Sequence, residues 1–243
     1  NLAFPLLSKL SEEGDTYAKN VFREEIAKRL EERDLQGEKA IFFIFSNGYQ
    51  KYLPEGYLND WVKIHKPSIK KIDLRYSNLK EIPEFVFEIE DLIELDLSEN
   101  KLTYLPNSIK LLKSLKKLDL SYNNLKNLPK SMMYLSDLEI LDLDSNQFSK
   151  MPNCIKYLTS LVNLNIGSNE LPRIQYLSNL KSLRVLDLSD NIIKKIKNLS
   201  NLLNLEELDL QVNSISKIRG LEKLLKLNSL IIHNNGYKKI EGL

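Results

Sequence analysis

Apolar residues recur along most of this chain with a nearly fixed period. Units begin at Ile69, Leu92, Leu115, Leu138, Leu161, Leu183, Leu205 and Leu227, spaced 23 residues apart four times and then 22 apart three times. Positions 1, 4, 6, 11 and 14 of every unit are apolar, forty slots out of forty. A period of this length marks an array of stacked supersecondary units. Positions 4 and 6 stand two apart, so they share the inward face of an extended segment while position 5 points out. No unit can bury its leucines alone, because its neighbours form the other walls of the core. Position 9 is Asn in seven units, from Asn100 to Asn235. Asparagine can satisfy backbone groups where the chain leaves the strand, and burying it unpaired would cost about 1–3 kcal/mol. The column is therefore expected to be structural. The first unit departs, with Ser77 at position 9 and Asn78 after it, which predicts a distorted first turn leaning on the preceding segment.

Residues 1–66 follow another rule. Asp15 can cap a helix running to about Arg33, whose Ala18, Val21, Phe22, Ile26, Ala27 and Leu30 recur at spacings of three and four. Leu2 to Leu10 predicts a shorter helix ended by Glu12-Glu13-Gly14. The run Ile41-Phe42-Phe43-Ile44-Phe45 fits a buried helix or a central strand, and Asn47-Gly48 fits a helix C-cap or a hairpin turn. A helix is favoured because the preceding elements are helical. Pro54-Glu55-Gly56 breaks the chain, and Tyr57, Leu58, Trp61, Val62 and Ile64 form an apolar segment just before the array. The expected organisation is a helical N-terminal segment, residues 1–66, capping a repeat domain at residues 67–243. A second binding module is the alternative for the helices.

The repeating pattern LxxLxLxxNxL, with its apolar positions 11 and 14, closely resembles the leucine-rich repeat family over residues 69–243. The first four units, with Pro83, Pro106, Pro129 and Pro152 at position 15, resemble its 23-residue class. The next three drop that proline and one residue, and resemble the 22-residue class common in intracellular regulatory proteins. The resemblance implies an α/β fold: a right-handed solenoid with a curved parallel β-sheet on the concave face and turns or short helices on the convex face. It also implies a protein-binding surface rather than a catalytic one.

Charge locates the candidate surface. The chain has 35 basic and 33 acidic residues, a net charge of +2, so a strongly basic nucleic-acid binder is disfavoured. Yet positions 2, 3, 5, 7 and 8 of the eight units, expected on the concave face, carry 13 acids and 6 bases. Position 5 alone reads Asp73, Asp96, Asp119, Asp142, Asn165, Asp187, Asp209 and Ile231. Neighbouring carboxylates about 4.8 Å apart repel by roughly 0.9 kcal/mol in bulk water. Two readings of this column compete: solvated aspartates that the fold tolerates, or a negative strip for a basic partner. Lys80, Lys126, Lys150, Lys194 and Lys195 on the turns would make the surface dipolar. Tyr76 and Tyr122 at position 8 are candidate interface anchors. Asn163, Asn165, Gly167 and Ser168 form an expected small, uncharged notch where the repeat length changes, beside Pro172. The candidate protein-binding residues are Arg75, Tyr76, Asp96, Glu99, Asp119, Tyr122, Asp142, Asp144, Asn165, Gly167, Asp187 and Asp190, with the partner's anchor seated between Tyr122 and the notch.

Catalytic and cofactor motifs are missing from the sequence. There is no phosphate-cradling glycine motif and no metal-ligand spacing. His65 and His233 lie about seven units apart, and Cys154 falls on the convex side as an expected inert thiol. Asn198-Leu199-Ser200 is a glycosylation sequon that matters only in a secreted chain. No apolar run approaches 18 residues, so no membrane span is expected. The functional expectation is a non-catalytic, monomeric scaffold without cofactors, binding a protein partner on the concave face, with a basic partner favoured over nucleic acid or membrane. The alternative is the recognition region of a larger signalling enzyme, suggested by a chain that opens on Asn1 and ends within an incomplete unit. The family's extracellular members protect their ends with disulfides, so the single cysteine implies a cytoplasmic setting.

Overall fold

A computed structural model describes residues 3–31, 38–65 and 69–236. Four helices come first: α1 (Ala3–Glu12), α2 (Thr16–Glu31), α3 (Glu38–Ser46) and α4 (Tyr57–His65). Asp15 caps α2 through Ala18 N–H, which donates to Asp15 Oδ1 at 2.9 Å. Helix α1 runs through Glu12, two residues beyond the expected Leu10, and the break falls on Gly14 at φ +95°. The expected ends at Leu2 and Arg33 lie outside the described residues. The apolar run from Ile41 to Phe45 is helical. Gly48 at φ +67° then turns the chain, which settles the helix against the hairpin. Phe22, Ile26, Ile41, Ile44 and Phe45 are buried. Phe22 meets the rings of Tyr49 and Tyr52 edge-on.

Eight three-residue strands follow, one per unit: β1 (Lys71–Asp73), β2 (Glu94–Asp96), β3 (Lys117–Asp119), β4 (Ile140–Asp142), β5 (Asn163–Asn165), β6 (Val185–Asp187), β7 (Glu207–Asp209) and β8 (Ser229–Ile231). They pair in parallel in chain order in a single sheet. The register advances one unit at a time, so Leu95 faces Leu118 and Asp96 faces Asp119. Parallel neighbours need a crossover connection, and here each crossover is the rest of the repeat. The inward positions fuse into one continuous apolar core that also takes in the helices. Helix α3 lies against β1 and α4 against the first convex turn. Phe45 and Phe85 join the two parts with ring centroids 5.6 Å apart. Burying a side chain of this size contributes about 2–3 kcal/mol.

The asparagine column is a hydrogen-bonded ladder. Asn123 Nδ2 donates to Leu97 O (2.9 Å) one unit back and to Leu120 O and Ser121 O (both 3.1 Å) in its own unit. Its Oδ1 accepts Leu102 N–H at 2.9 Å. The same scheme recurs through Asn213 and Asn235. The first turn is distorted as expected, with Asn78 left-handed at φ +56°. Leu79 N–H donates to Asn100 Oδ1 one unit ahead, as position 11 does in later units, and Ser77 N–H donates to the same oxygen. On the side of the preceding segment, Leu79 lines a cleft with Phe45, Leu53 and Leu58.

The convex side changes at the fifth unit. In the first four, the position-15 proline precedes a short 3-10 turn: Glu84–Glu88, Asn107–Leu111, Lys130–Tyr134 and Asn153–Tyr157. Proline pre-sets φ near −65° and lacks an N–H to leave unpaired. In the next three units position 16 is instead left-handed, at Tyr176 (φ +63°), Asn198 (+65°) and Gly220 (+90°). One residue in that conformation reverses the chain in less length, which accounts for the 22-residue period. In the eighth unit Leu227, Leu230 and Ile232 are only half-buried, because no further described unit packs on them. Tyr237 and Ile240 lie outside the described residues.

Candidate functional site

The concave face is built by strand positions 3 and 5 and by the turn that follows. The position-5 aspartates do not project freely, as the solvated reading supposes. Each folds back to accept the N–H two residues on. Asp96 Oδ1 accepts Ser98 N–H (3.0 Å) and its hydroxyl (2.6 Å), and Asp119 and Asp187 hold Ser121 and Ser189 in the same way. Asp142 accepts Asp144 N–H at 2.9 Å, and Asn165 serves Gly167 N–H at 3.0 Å. This is the Asx arrangement that ends a strand locally. The aspartates are accordingly half-buried; the side chain of Asp96 is 26% exposed. The recurring triplet Asp-Leu-Ser is the sequence signal for it, and spacing alone does not bring it out.

Asp142 is the extreme member of the column. Burial pushes its carboxyl up to about 6, and the charges of Asp119 and Asp144 add to that. Bonds from Asp144 N–H and from Asn165 Nδ2 (3.2 Å to Oδ2) pull the other way. Asp209 shifts upward for the same first reason, burial.

Most bases of the concave face are already matched. Lys70 meets Asp91 (3.3 Å), Lys71 meets Glu94 (2.6 Å), Lys116 meets Glu139 (2.8 Å) and Arg184 meets Glu206 (3.2 Å). Arg75 closes on Asp73 Oδ2 (2.6 Å) and lies 3.9 Å from Asp96. Exposed pairs of this kind contribute about 0–1 kcal/mol each. Their effect on the surface is larger than their effect on stability, because the unmatched remainder is acidic.

Position 8 is left-handed in all eight units, including Tyr76 (φ +57°), Glu99 (+53°), Tyr122 (+53°) and Asp190 (+47°). Little in the residue types announces this, since only Asp190 and Asn234 among them favour the conformation. The turn lifts these side chains off the strand row onto its C-terminal rim. Tyr76 is 61% exposed and Tyr122 58% exposed. The Glu99 carboxylate, hydrogen-bonded to the Tyr76 hydroxyl, holds that phenol above its ordinary pKa. Tyr122 N–H donates to Asp144 O at 2.9 Å, which sets the Tyr122 and Asp144 backbones side by side in adjacent units.

The expected uncharged notch is different in character. Gly167 is buried. A Cβ on it would stand 3.0 Å from Asp144 Oδ1, 3.0 Å from Ser189 Oγ and 3.2 Å from Asp187 Oδ1. The space a side chain would take is thus walled by oxygens, two of them carboxylate oxygens, so the notch is narrow and acidic. Its neutral neighbours Asn163 and Asn165 hid this in the sequence, because the walls come from the adjacent units.

Other singled-out residues serve the fold. His65 stacks on Trp61 at 4.2 Å and bonds its carbonyl through Nδ1 at 2.8 Å. Cys154 is buried, and burial raises its thiol to about 11. Asn198 Nδ2 donates to Ile174 O at 2.8 Å, which fastens its convex turn. Among the described residues no group of three or more His, Cys, Asp or Glu could hold a metal ion, and no helix is long and apolar enough to cross a membrane.

Comparison with known proteins places this geometry. The sequence matches the leucine-rich repeat region family over residues 112–242 and a second leucine rich repeat family over residues 67–125. No curated relative matches at a significant level. A leucine-rich repeat protein of Leptospira interrogans superposes with a TM-score of 0.68 at 30% identity, over 78% of this chain and 53% of that one. Internalin C2 of Listeria monocytogenes gives 0.67 at 27% identity, over 73% and 76%. An internalin of the same species, InlF, gives 0.65 at 24% identity, over 71% and 50%, and so bears on the fold alone. The chain spans about half the length of the Leptospira protein and of InlF. Leucine-rich repeat domains are in general protein-interaction modules. With its sheet, its asparagine ladder and the family match agreeing, the chain belongs to the leucine-rich repeat family.

Proposed function

We propose that this chain is a non-catalytic scaffold whose concave face binds a basic segment of a partner protein. The carrying observation is the juxtaposition of Tyr122, exposed on its left-handed turn, with Asp144 in the next unit. Asp144 Oδ1 accepts no hydrogen bond among the described residues and borders Gly167, with Asp187 on the far side. A lysine or arginine from the partner laid across this spot gains the face of an aromatic ring and a carboxylate together. Arg75, Tyr76, Asp96 and Glu99 extend the surface toward the first unit, and Asp119, Asp142, Asn165 and Asp190 line its middle. Desolvation raises Asp142, so an approaching cation also relieves a carboxylate that burial disfavours. Tyrosine anchors and charge complementarity contribute affinity and steering respectively. The scaffold acts as a monomer, and a cytoplasmic setting accords with its single, buried cysteine.

The test is affinity capture with wild type beside Tyr122→Ala combined with Asp144→Lys, followed by mass spectrometry. Asp144 is preferred to Asp142 because the Asp142 carboxylate ends its strand. Proteins held by wild type and lost from the folded variant are expected, with a deficit of about 2–4 kcal/mol for the pair of changes. Identical captured sets would contradict the proposal.

A further inference from the structure

On one flank of the solenoid the charge is opposite to that of the concave face. Lys194, Lys195 and Lys197 occupy positions 12, 13 and 15 of the sixth unit, and Lys217 and Arg219 occupy positions 13 and 15 of the seventh. Stacking brings the two sets together, and with Ser216 and Ile196 they line a cavity of about 240 Å³. Among the described residues five cations face this space and no carboxylate lines it. On the concave side, by contrast, Lys116 is matched by Glu139 and Arg184 by Glu206. None of these five has an ion pair among the described residues. Glu222 lies near Arg219 but is committed elsewhere: it accepts Gly220 N–H at 2.9 Å, the first cause of its lowered pKa, with the Arg219 charge the least.

Like charges held this close repel, and a bound anion is the direct way to offset that. The cavity has the volume of about eight water molecules, which suits a ligand with two phosphoryl groups better than an extended polymer. We propose that this flank binds a small, multiply charged oxyanion of the phosphate class, diphosphate in size. Lysine supplies point charges and Arg219 a planar fork for two oxygens, and the Ser216 hydroxyl adds a neutral donor. This site is separate from the concave surface and does not rest on it.

Calorimetric titration of the full chain with inorganic pyrophosphate at low salt tests this. Saturable one-to-one binding is expected, together with a rise in Tm that sodium chloride of equal ionic strength does not reproduce. Lys195→Glu with Lys217→Glu, both exposed, is expected to weaken binding at least roughly tenfold with unchanged circular dichroism. Lys126→Glu with Lys150→Glu, on the earlier turns, is expected to leave the affinity unchanged. Equal loss in both variants would mean diffuse attraction and would overturn the pocket. Neutral vesicles with and without a bisphosphorylated inositol lipid separate the sources. Capture that pyrophosphate displaces assigns the ligand to a headgroup, and pyrophosphate binding without capture assigns it to a free anion. Either result supports the site, and binding in neither arm overturns it.

Discussion

The first four repeats and the next three present the same sheet and different backs. Asn123 in the 23-residue half and Asn191 in the 22-residue half make the same kinds of hydrogen bonds to the unit before and to their own turn. Behind them, proline and a 3-10 turn give way to a single left-handed residue. The strand side is therefore fixed by contacts between units, and the convex side by the local preferences of one or two residues. The surfaces divide in the same way. The exposed tyrosines of the concave rim, Tyr76 and Tyr122, lie in the first half, and the five cations of the flank cavity in the second.

The largest expected effects test the shared side. Asn146→Ala and Asn191→Ala each strip three donated bonds and one accepted bond from buried backbone groups. Both are expected to cost about 2–3 kcal/mol in urea unfolding. A cost in one half only would break the equivalence. Next comes the convex side, where the halves should respond differently. Gly220→Ala, at φ +90° and with its new Cβ 3.3 Å from Ile196 O, is expected to cost about 1–2 kcal/mol. Lys130→Ala, at the same position of the third unit within a 3-10 turn, is expected to change stability by less than about 0.5 kcal/mol. Equal costs would remove the distinction.

Smaller effects sharpen the reading of the concave face. Asp142→Asn is expected to stabilise by about 1 kcal/mol at pH 7. It removes a carboxylate that the fold disfavours and keeps an oxygen for Asp144 N–H, though it gives up the bond from Asn165. The sign follows from the raised pKa of about 6. The folded state binds more protons than the unfolded state between the ordinary carboxylate value and about 6, so wild-type stability at this site rises as pH falls through that window. The advantage of the variant should therefore vanish below about pH 4, which thermal melts across pH 4–7 would measure. Val212→Asn should be worth about 0.5–1 kcal/mol, because a β-branched residue at φ +51° is strained where asparagine is tolerated.

The solenoid was legible in the sequence because its inward positions obey one rule: an apolar side chain at a fixed spacing, sealed by an asparagine. The asparagine ladder follows from that pattern, whereas the run Ile41 to Phe45 fits helix or strand alike, and only its helical neighbours favour the helix. The concave surface was less legible, since its character depends on what adjacent units place side by side. Gly167 looks like an open, neutral notch along the chain, yet Asp144 and Asp187 wall it from either side. Asp142 looks exposed by alternation, yet it folds down to hold its own strand end. The left-handed turn that presents Tyr122 is imposed by the ladder beneath it and is written in no preference of tyrosine.

The concave rim is proposed as the place where a partner lands. Hydrogen–deuterium exchange with and without a captured partner measures this directly. Protection is predicted at the turns carrying Tyr122, Asp144 and Gly167, fading as salt rises, with the convex turns at residues 107–111 and 130–134 unchanged. Protection confined to those convex turns, or to the helices, would contradict it.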